Sequence, residues 1–298
     1  MDKVLTIDIG GTFIKYGLID DKCQLTHTSK VKTPYESQEH FIDVLYSIYE
    51  ELKENGVQGI AISAPGLIDV QHGIMKTSGA LIYLEGIHLA ERLSKRCDHL
   101  PVSVENDGKA AVLCESWVGS AKDGQSCVVL IFGSGIGGGV VLNNQVVRGN
   151  DLIAGEFSPI LIDMKKGSYS NFAGEYSTLS IVRKVQEMKS DESIDGEKVM
   201  QFYRQEDEEV CYLLDEWFEA IAKFCFNIDN MLNPDCICIG GGISVDPLFI
   251  QKIQESIDVV SEKAFVFRKP VVKVCQYFND SNLIGAYYTY KQMIGGKV

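Results

Sequence analysis

The chain of 298 residues predicts an α/β fold built in two halves, on three observations. Two glycine-rich turns, Asp8-Ile9-Gly10-Gly11-Thr12-Phe13-Ile14-Lys15 and Phe132-Gly133-Ser134-Gly135-Ile136-Gly137-Gly138-Gly139, each follow one short apolar run and precede another. Apolar runs of strand length alternate with stretches of helical periodicity, the order that layers helices on a sheet. That order starts again at Cys127, in a chain long enough for two cores. Glycine at the turns is expected to let the backbone take positive φ and to let N–H groups crowd round an anion with no Cβ in the way. Two such turns read as two phosphate clamps.

Taken in order, residues 4–9 and 13–19 form a hairpin through the first turn. Residues 38–54 carry Phe41, Leu45, Ile48 and Leu52 on one helical stripe, which stops at Asn55-Gly56, a natural C-cap. Residues 59–63 are a buried strand broken by Ala64-Pro65-Gly66; residues 101–105 are a short strand and 106–118 a helix. In the second half, the strand 127–132 leads into the second turn, and 139–148 form a hairpin turning at Asn143-Asn144. A long helix over 208–232 is stopped by Asn233-Pro234, and the strand 235–239 runs into Gly240-Gly241-Gly242. A helix over 247–263, a strand over 271–276 and a last helix from about 282 to 293 complete the chain. The halves share layout and little identity. The division is placed at 118/119: a first domain of residues 1–118, with the C-terminal segment 282–298 packing back on it, and a second of 119–281.

A net charge of −13 argues against sequence-independent binding of nucleic acid, which rests on Lys and Arg neutralising phosphates. It does not exclude an anionic ligand, because backbone N–H groups act locally. The nine cysteines are odd in number and scattered through apolar runs, as in Asp235-Cys236-Ile237-Cys238-Ile239, so they read as reduced core thiols of a cytoplasmic protein. Cys236-x-Cys238 would put both thiols on one strand face, but no second pair has zinc spacing. No signal peptide precedes the first strand, and no apolar run approaches membrane-spanning length.

Gly133 to Gly138 match G-x-G-x-x-G, the dinucleotide fingerprint, yet that motif requires a helix to open at the glycines. Here Val140, Val141 and Leu142 follow, which is strand chemistry, and the reading fails on context. No Walker A sequence is present either: Gly108-Lys109 is followed by Ala110 and lacks the upstream glycine. Six pieces in order are informative instead: Asp8-Ile-Gly-Gly-Thr-x-x-Lys15, Ala64-Pro-Gly-x-x-Asp69, Glu105-Asn-Asp107, Gly133-Ser-Gly-Ile-Gly-Gly-Gly139, Ala154-Gly-Glu156 and Asn233-Pro-Asp-x-x-x-x-Gly-Gly-Gly242. Together they cover nearly the whole chain, and the set resembles the ROK family (repressors, uncharacterised reading frames and sugar kinases).

The resemblance implies two RNase H-like domains of the actin-like ATPase fold with a cleft between them, and an enzyme using ATP and Mg2+. It assigns Gly10, Gly11, Thr12 and Lys15 to the first phosphate loop, with Asp8 orienting Mg2+ through water. Gly133, Ser134, Gly135 and Gly137 become the second loop, and Gly240, Gly241 and Gly242 lie against the adenosine. Phosphoryl transfer mainly needs positioning and neutralised charge, so these roles agree with the bare reading of the turns. Asp107, at a strand end that opens a helix, becomes the general base for a sugar hydroxyl. Its plain alternative is a helix N-cap, and Asn106 could cap while Asp107 acts as base. Gly66, Asn106, Asp107, Glu156 and Glu175 make the implied sugar site, where a carboxylate can accept from two vicinal hydroxyls.

Two departures bear on the substrate. Family members with a structural zinc carry Glu-x-Gly-His and a downstream cysteine cluster; this chain has Glu156-Phe157-Ser158-Pro159, then Gly167 to Glu175 with no cysteine. Pro159 can neither ligate metal nor donate a hydrogen bond, so the expectation is a site without zinc, supported by packing round Phe157, Tyr169 and Phe172. The five histidines (27, 40, 72, 88 and 99) fit no ligand spacing. The segment Ser78 to Gly86 lacks the asparagine that touches sugar in many of these kinases. The implied activity is transfer of the ATP γ-phosphate to a sugar hydroxyl, O6 of a hexose, an amino sugar or a β-glucoside, by a homodimer. Two other classes stand beside it: a non-catalytic sugar sensor, and a transcriptional regulator, which would carry a helix-turn-helix module ahead of the first loop.

Overall fold

The computed structural model describes residues 3–295 and divides into two units. Unit 1 holds the described residues up to Trp117, Val146–Ala154, and those from Asn279 on; unit 2 holds Val118–Gln145 and Gly155–Phe278. Val146–Ala154 thus groups with unit 1, although the sequence division puts it in the second domain. Of the C-terminal segment 282–298, residues 296–298 lie outside the described residues.

Unit 1 begins with β1 (Lys3–Ile9), β2 (Phe13–Ile19) and β3 (Leu25–Lys32), then α1 (Gln38–Leu52) and β4 (Val57–Ala64). A small ribbon, β5 (Ile68–Asp69) with β6 (Ile74–Met75), precedes α2 (Leu89–Arg96), β7 (Val102–Asn106) and α3 (Asp107–Trp117). The sheet order is β3-β2-β1-β4-β7, with β1, β4 and β7 mutually parallel and β2 antiparallel to β1. The central strands β1 and β4 are mostly apolar and buried along almost their whole length, with Thr6, Asp8 and Ser63 as buried polar exceptions. β3 is exposed along most of its length and carries Thr26, Thr28, Lys30 and Lys32, side chains that suit an edge. α1 starts at Ser37, whose Oγ accepts from the His40 N–H at 3.1 Å, and buries Phe41, Ile42, Leu45, Ile48, Tyr49 and Leu52. A 3₁₀ turn over Lys53–Asn55 follows it and ends at Gly56, left-handed at φ 82°.

Unit 2 repeats the plan. Its strands are β8 (Cys127–Phe132), β9 (Ile136–Leu142), β11 (Cys236–Gly240) and β12 (Val272–Val274), with β10 (Gln145–Val146) at the edge where the chain passes into the Val146–Ala154 segment, in sheet order β10-β9-β8-β11-β12. β9 runs antiparallel to β8, and β11 parallel to it, as β2 and β4 do to β1. Asn143 and Asn144 both take positive φ (51° and 61°), as a two-residue hairpin turn between right-twisted strands requires. The helices are α4 (Phe172–Tyr176), α5 (Thr178–Lys189), α6 (Gly196–Arg204), α7 (Glu208–Leu232) and α8 (Pro247–Lys263). Trp217 of α7 packs on Phe132 (6.3 Å between centroids) and Phe249 (5.0 Å), while its Nε1–H donates to the Tyr176 carbonyl at 2.7 Å. The large apolar body is buried and its one polar atom is satisfied.

The last helix, α9 (Ser281–Met293), belongs to unit 1 and packs along α3 and against β4, β7 and β1. Gly285 allows the approach to α3: a Cβ there would lie 1.8 Å from the Ala110 carbonyl oxygen. Among the described residues no cysteine forms a disulfide, and no helix is long and apolar enough to cross a membrane.

Candidate active site

The chemistry-bearing residues of unit 1 lie at the carboxyl ends of its parallel strands, the edge where open α/β sheets bind ligands. Asp8 of β1 is in register with Ser63 of β4, and Ser63 with Glu105 of β7. Two strand spacings of about 4.8 Å put the Asp8 and Glu105 positions roughly 10 Å apart across the sheet. Asp8 is buried, and its Oδ1 accepts from Ser63 Oγ and Asn282 Nδ2, both at 3.0 Å. Burial pushes the Asp8 carboxyl above the ordinary carboxylate range; the hydrogen bonds from Asn282 and Ser63 and the charge of Lys15, opposite it on β2, pull the other way.

The first glycine turn is three residues, Gly10 to Thr12. Its carbonyls are tied back: Gly10 O accepts from Thr33 Oγ1 at 2.7 Å, Gly11 O from the Tyr35 hydroxyl at 2.6 Å and Thr12 O from the Thr33 N–H at 3.0 Å. The Gly10 N–H is also engaged, closing the turn onto Phe13 O at 3.0 Å, so the donors that suit an anion are the N–H groups of Gly11 and Thr12. The expected positive φ is absent at both Gly10 and Gly11. Glycine is required at position 10 for space instead, since a Cβ would sit 2.8 Å from the Phe13 oxygen.

At the β7–α3 junction Asn106 is the helix cap: its Oδ1 accepts the Lys109 N–H at 2.9 Å. Its Nδ2 donates to Gly66 O at 2.9 Å and to Asp107 Oδ1 at 3.0 Å. Asp107 Oδ1 also accepts the Gly108 N–H at 2.8 Å. Gly66 holds φ 93°, and a Cβ there would lie 2.3 Å from the Thr77 oxygen, so the Ala64-Pro65-Gly66 bend depends on glycine. The structure therefore brings Gly66, Asn106 and Asp107 together.

In unit 2 the second turn is again three residues, Gly133 to Gly135, closed by Gly133 N–H to Gly135 O at 3.0 Å. Gly137 lies within β9, and of this cluster only Gly138 has positive φ (152°). The Gly133 carbonyl accepts from the Leu179 N–H at 3.1 Å, anchoring the turn to the start of α5. The ends of β8 and β11 adjoin, so the third glycine cluster stands beside the second: Gly241, at φ 100°, would put a Cβ 2.0 Å from the Phe132 oxygen. Next to Gly242 opens a cavity of 690 Å³ lined by Thr178, Glu197, Met200, Ile243 and Asp246 among others. Thr178 Oγ1 is buried there with no hydrogen-bond partner in the protein.

Glu156, half-buried, precedes Phe157 and Ser158. Ser158 Oγ accepts the Ile136 N–H at 2.9 Å, which fastens this segment to the strand leaving the second turn. Glu175 instead pairs with Lys184 at 3.0 Å and lines a separate cavity with Trp217 and Lys223. Phe157 and Phe172 do pack, each against Phe224 at 6.1 and 3.9 Å between centroids. Tyr169 does not join them: it is 80% exposed, because the loop from Gly167 to Asn171 holds it outside the core. All five histidines are exposed, and among the described residues no three His, Cys, Asp or Glu side chains are grouped to hold a metal.

A model of the ROK family matches residues 4–293, from the first strand to the end of α9. The chain belongs to the ROK family. It is similar to a beta-glucoside kinase of Listeria monocytogenes, 29% identical over 97% of this chain and 98% of that protein. A beta-glucoside kinase of Klebsiella pneumoniae is 30% identical over 98% of this chain and 97% of its own length. Among solved structures, a ROK family protein from Streptococcus pneumoniae TIGR4 in complex with sucrose superposes with a TM-score of 0.89 at 29% identity, covering 98% of this chain and 99% of that one. The ROK fold seen here is α/β in two domains of the actin-like ATPase type.

Several supporting residues of this ROK protein escaped the sequence reading. Ser63 and Asn282 hold Asp8, Thr33 and Tyr35 hold the first turn, and Arg148 and Thr289 hold Glu105. Ser63 alone had a signal, as the polar residue ending a strand of buried type next to a proline-glycine bend.

Proposed function

We propose that this ROK protein transfers the γ-phosphate of ATP to a sugar hydroxyl, O6 of a hexose, amino sugar or β-glucoside, with Asp107 as general base. The class is that of the hexokinase-like carbohydrate kinases. One observation carries the reading of the site. Asp8 and the Asn106–Asp107 pair end parallel strands of one sheet, at about two strand spacings from each other, room for a phosphoryl group and an acceptor hydroxyl.

In this reading Gly10, Gly11, Thr12 and Lys15 form one phosphate loop and Gly133, Ser134, Gly135 and Gly137 the other, with the Gly10 and Gly133 N–H groups closing the turns themselves. The cavity lined by Gly242, the last residue of the Gly240-Gly241-Gly242 cluster, takes the adenosine. Asp8 fits Mg2+: a single buried carboxylate at a strand end suits a hard cation that keeps most of its waters. Bound there, Mg2+ would neutralise charge on the phosphates. Asp107 Oδ1 accepts from the Gly108 N–H and from Asn106 Nδ2, which orients the carboxylate that takes the proton of the attacking hydroxyl. Gly66, Asn106 and Glu156 orient the sugar. Glu175 serves it only by giving up Lys184. The names of the relatives and the absence of the sugar-contacting asparagine between Ser78 and Gly86 favour a β-glucoside over free glucose.

A coupled ADP-release assay over glucose, mannose, N-acetylated hexosamines and β-glucosides tests this. The expected result is turnover with at least one, highest for a β-glucoside. Tight sugar binding with no turnover on any of them would replace the kinase with a sensor. Light scattering tests the homodimer that the resemblance implies.

A further inference from the structure

Glu105 is fully buried, and both its oxygens are engaged. Arg148 Nη1 donates to Oε1 at 2.7 Å and Nη2 to Oε2 at 2.6 Å, a two-pronged guanidinium–carboxylate pair. The Asn106 N–H adds a bond to Oε1 at 2.8 Å, and Thr289 Oγ1 one to Oε2 at 3.0 Å. Arg148 comes from the Val146–Ala154 segment of unit 1, which is folded on itself by the Ala154 N–H to Arg148 O bond at 3.1 Å and by Gly149 at φ 73°. None of this is needed to bind a phosphate or a sugar. Glu105 is fully withdrawn from water while Arg148 keeps a quarter of its side chain exposed, and because withdrawing a charge costs several kcal/mol such a pair is weak evidence for stability by itself. It is better evidence for fixing geometry.

We infer that Arg148 is a positioning residue for phosphoryl transfer, its guanidinium fork holding Glu105 so that Glu105 holds the Asn106–Asp107 pair in place. The chain of contacts is short. The fork sets the plane of the Glu105 carboxylate, and Oε1 fixes the Asn106 peptide through its N–H. A fixed Asn106 divides its amide between the Lys109 N–H, Gly66 O and Asp107 Oδ1. Each link is a hydrogen bond of 3.0 Å or less, and Glu105 and Asn106 are both shielded from water that could replace a lost partner. Lysine in place of Arg148 would keep the charge and lose the fork. The inference rests on Asp107 being the base.

The test compares Arg148→Met and Arg148→Lys with Asp107→Asn in the full chain. For each, kcat, KM for ATP and for the accepted sugar, ATP affinity and thermal unfolding are measured. A misplacement of about 1 Å costs on the order of a hundredfold in rate. Arg148→Met is therefore expected to lower kcat by about tenfold to a hundredfold, with ATP affinity within about twofold of the parent. Arg148→Lys should recover part of the loss. A folded Arg148→Met with parental kcat, or a loss that lies wholly in ATP binding, overturns the inference. Should Arg148→Met not fold, Arg148→Lys decides by the same kcat criterion. The double variant Glu105→Gln/Arg148→Met, which leaves no unpaired buried charge, decides if neither folds. Asp107→Asn separates the two layers: its retained turnover sinks the base assignment, whereas a dead Asp107→Asn beside fully active Arg148 variants sinks the positioning role alone.

Discussion

Replacing Asp107 by asparagine changes almost nothing but the ability to take a proton. The side chains are the same size, and the amide oxygen can still accept from Gly108 N–H and Asn106 Nδ2, now 2.8 and 3.0 Å from the carboxylate. Losing the charge assistance of those bonds, and the interaction of a carboxylate with the first turn of α3, costs about 1 kcal/mol. On a chain of this size that lowers the unfolding midpoint by roughly 2–4 °C. The chemistry loses far more. A positioned general base contributes about 10²- to 10⁴-fold, which is about 3–5 kcal/mol of barrier. Calorimetric ATP binding, thermal unfolding and coupled ADP release on the same preparation separate the two costs. The expected pattern is kcat down by two to four decades, ATP affinity unchanged and the fold intact. A kcat within about tenfold of the parent would refute the assignment, as would a loss that merely tracks unfolding.

Asp8→Asn should raise the unfolding midpoint at pH 7 while removing Mg2+-dependent turnover. Because burial raises the Asp8 carboxyl, the folded chain holds its proton to higher pH than the unfolded chain; stability from this group is fully present below the unfolded carboxyl's ordinary value and is lost as pH climbs from there through the raised folded value. Unfolding curves against pH without Mg2+ check this, the asparagine variant losing that share of the slope. Thr178→Val removes the hydroxyl that faces the cavity beside Gly242, so KM for ATP should rise about fivefold, the worth of one hydrogen bond, with KM for sugar unchanged. Equal KM values for ATP would place the nucleotide elsewhere. Elemental analysis of purified protein should find no stoichiometric zinc, in line with Pro159 and the exposed histidines; one zinc per chain would overturn that expectation.

What the sequence announced follows from what each segment buries. The helices at Glu208–Leu232 and Pro247–Lys263 and the strand Cys127–Phe132 are plain in the apolar periodicity, because each faces a core on at least one side. β3 was not seen: an edge strand of mostly polar residues has no apolar alternation to detect. α5 and α6 were passed over because they are short and bury only three and two residues respectively. The turns of the candidate site were legible because glycine is their signature. The residues that support them were not, since Asn282 reaches Asp8 across 274 positions and Thr289 reaches Glu105 across 184. Only the fold makes those neighbours. Tyr169 shows the converse error, an aromatic residue assigned to packing by its type that lies on the surface.

Seven glycines of the three clusters fall into two groups when probed by alanine. At Gly10, Gly135, Gly240 and Gly241 a methyl group would meet another part of the protein within 3 Å, so a loss of activity there reports a damaged fold and says nothing of phosphate. At Gly133, Gly137 and Gly242 nothing lies within 4 Å of the added carbon. Those three can carry a side chain without disturbing the protein, and whatever an alanine obstructs there is the ligand. A scan confined to them maps the nucleotide on an undistorted chain.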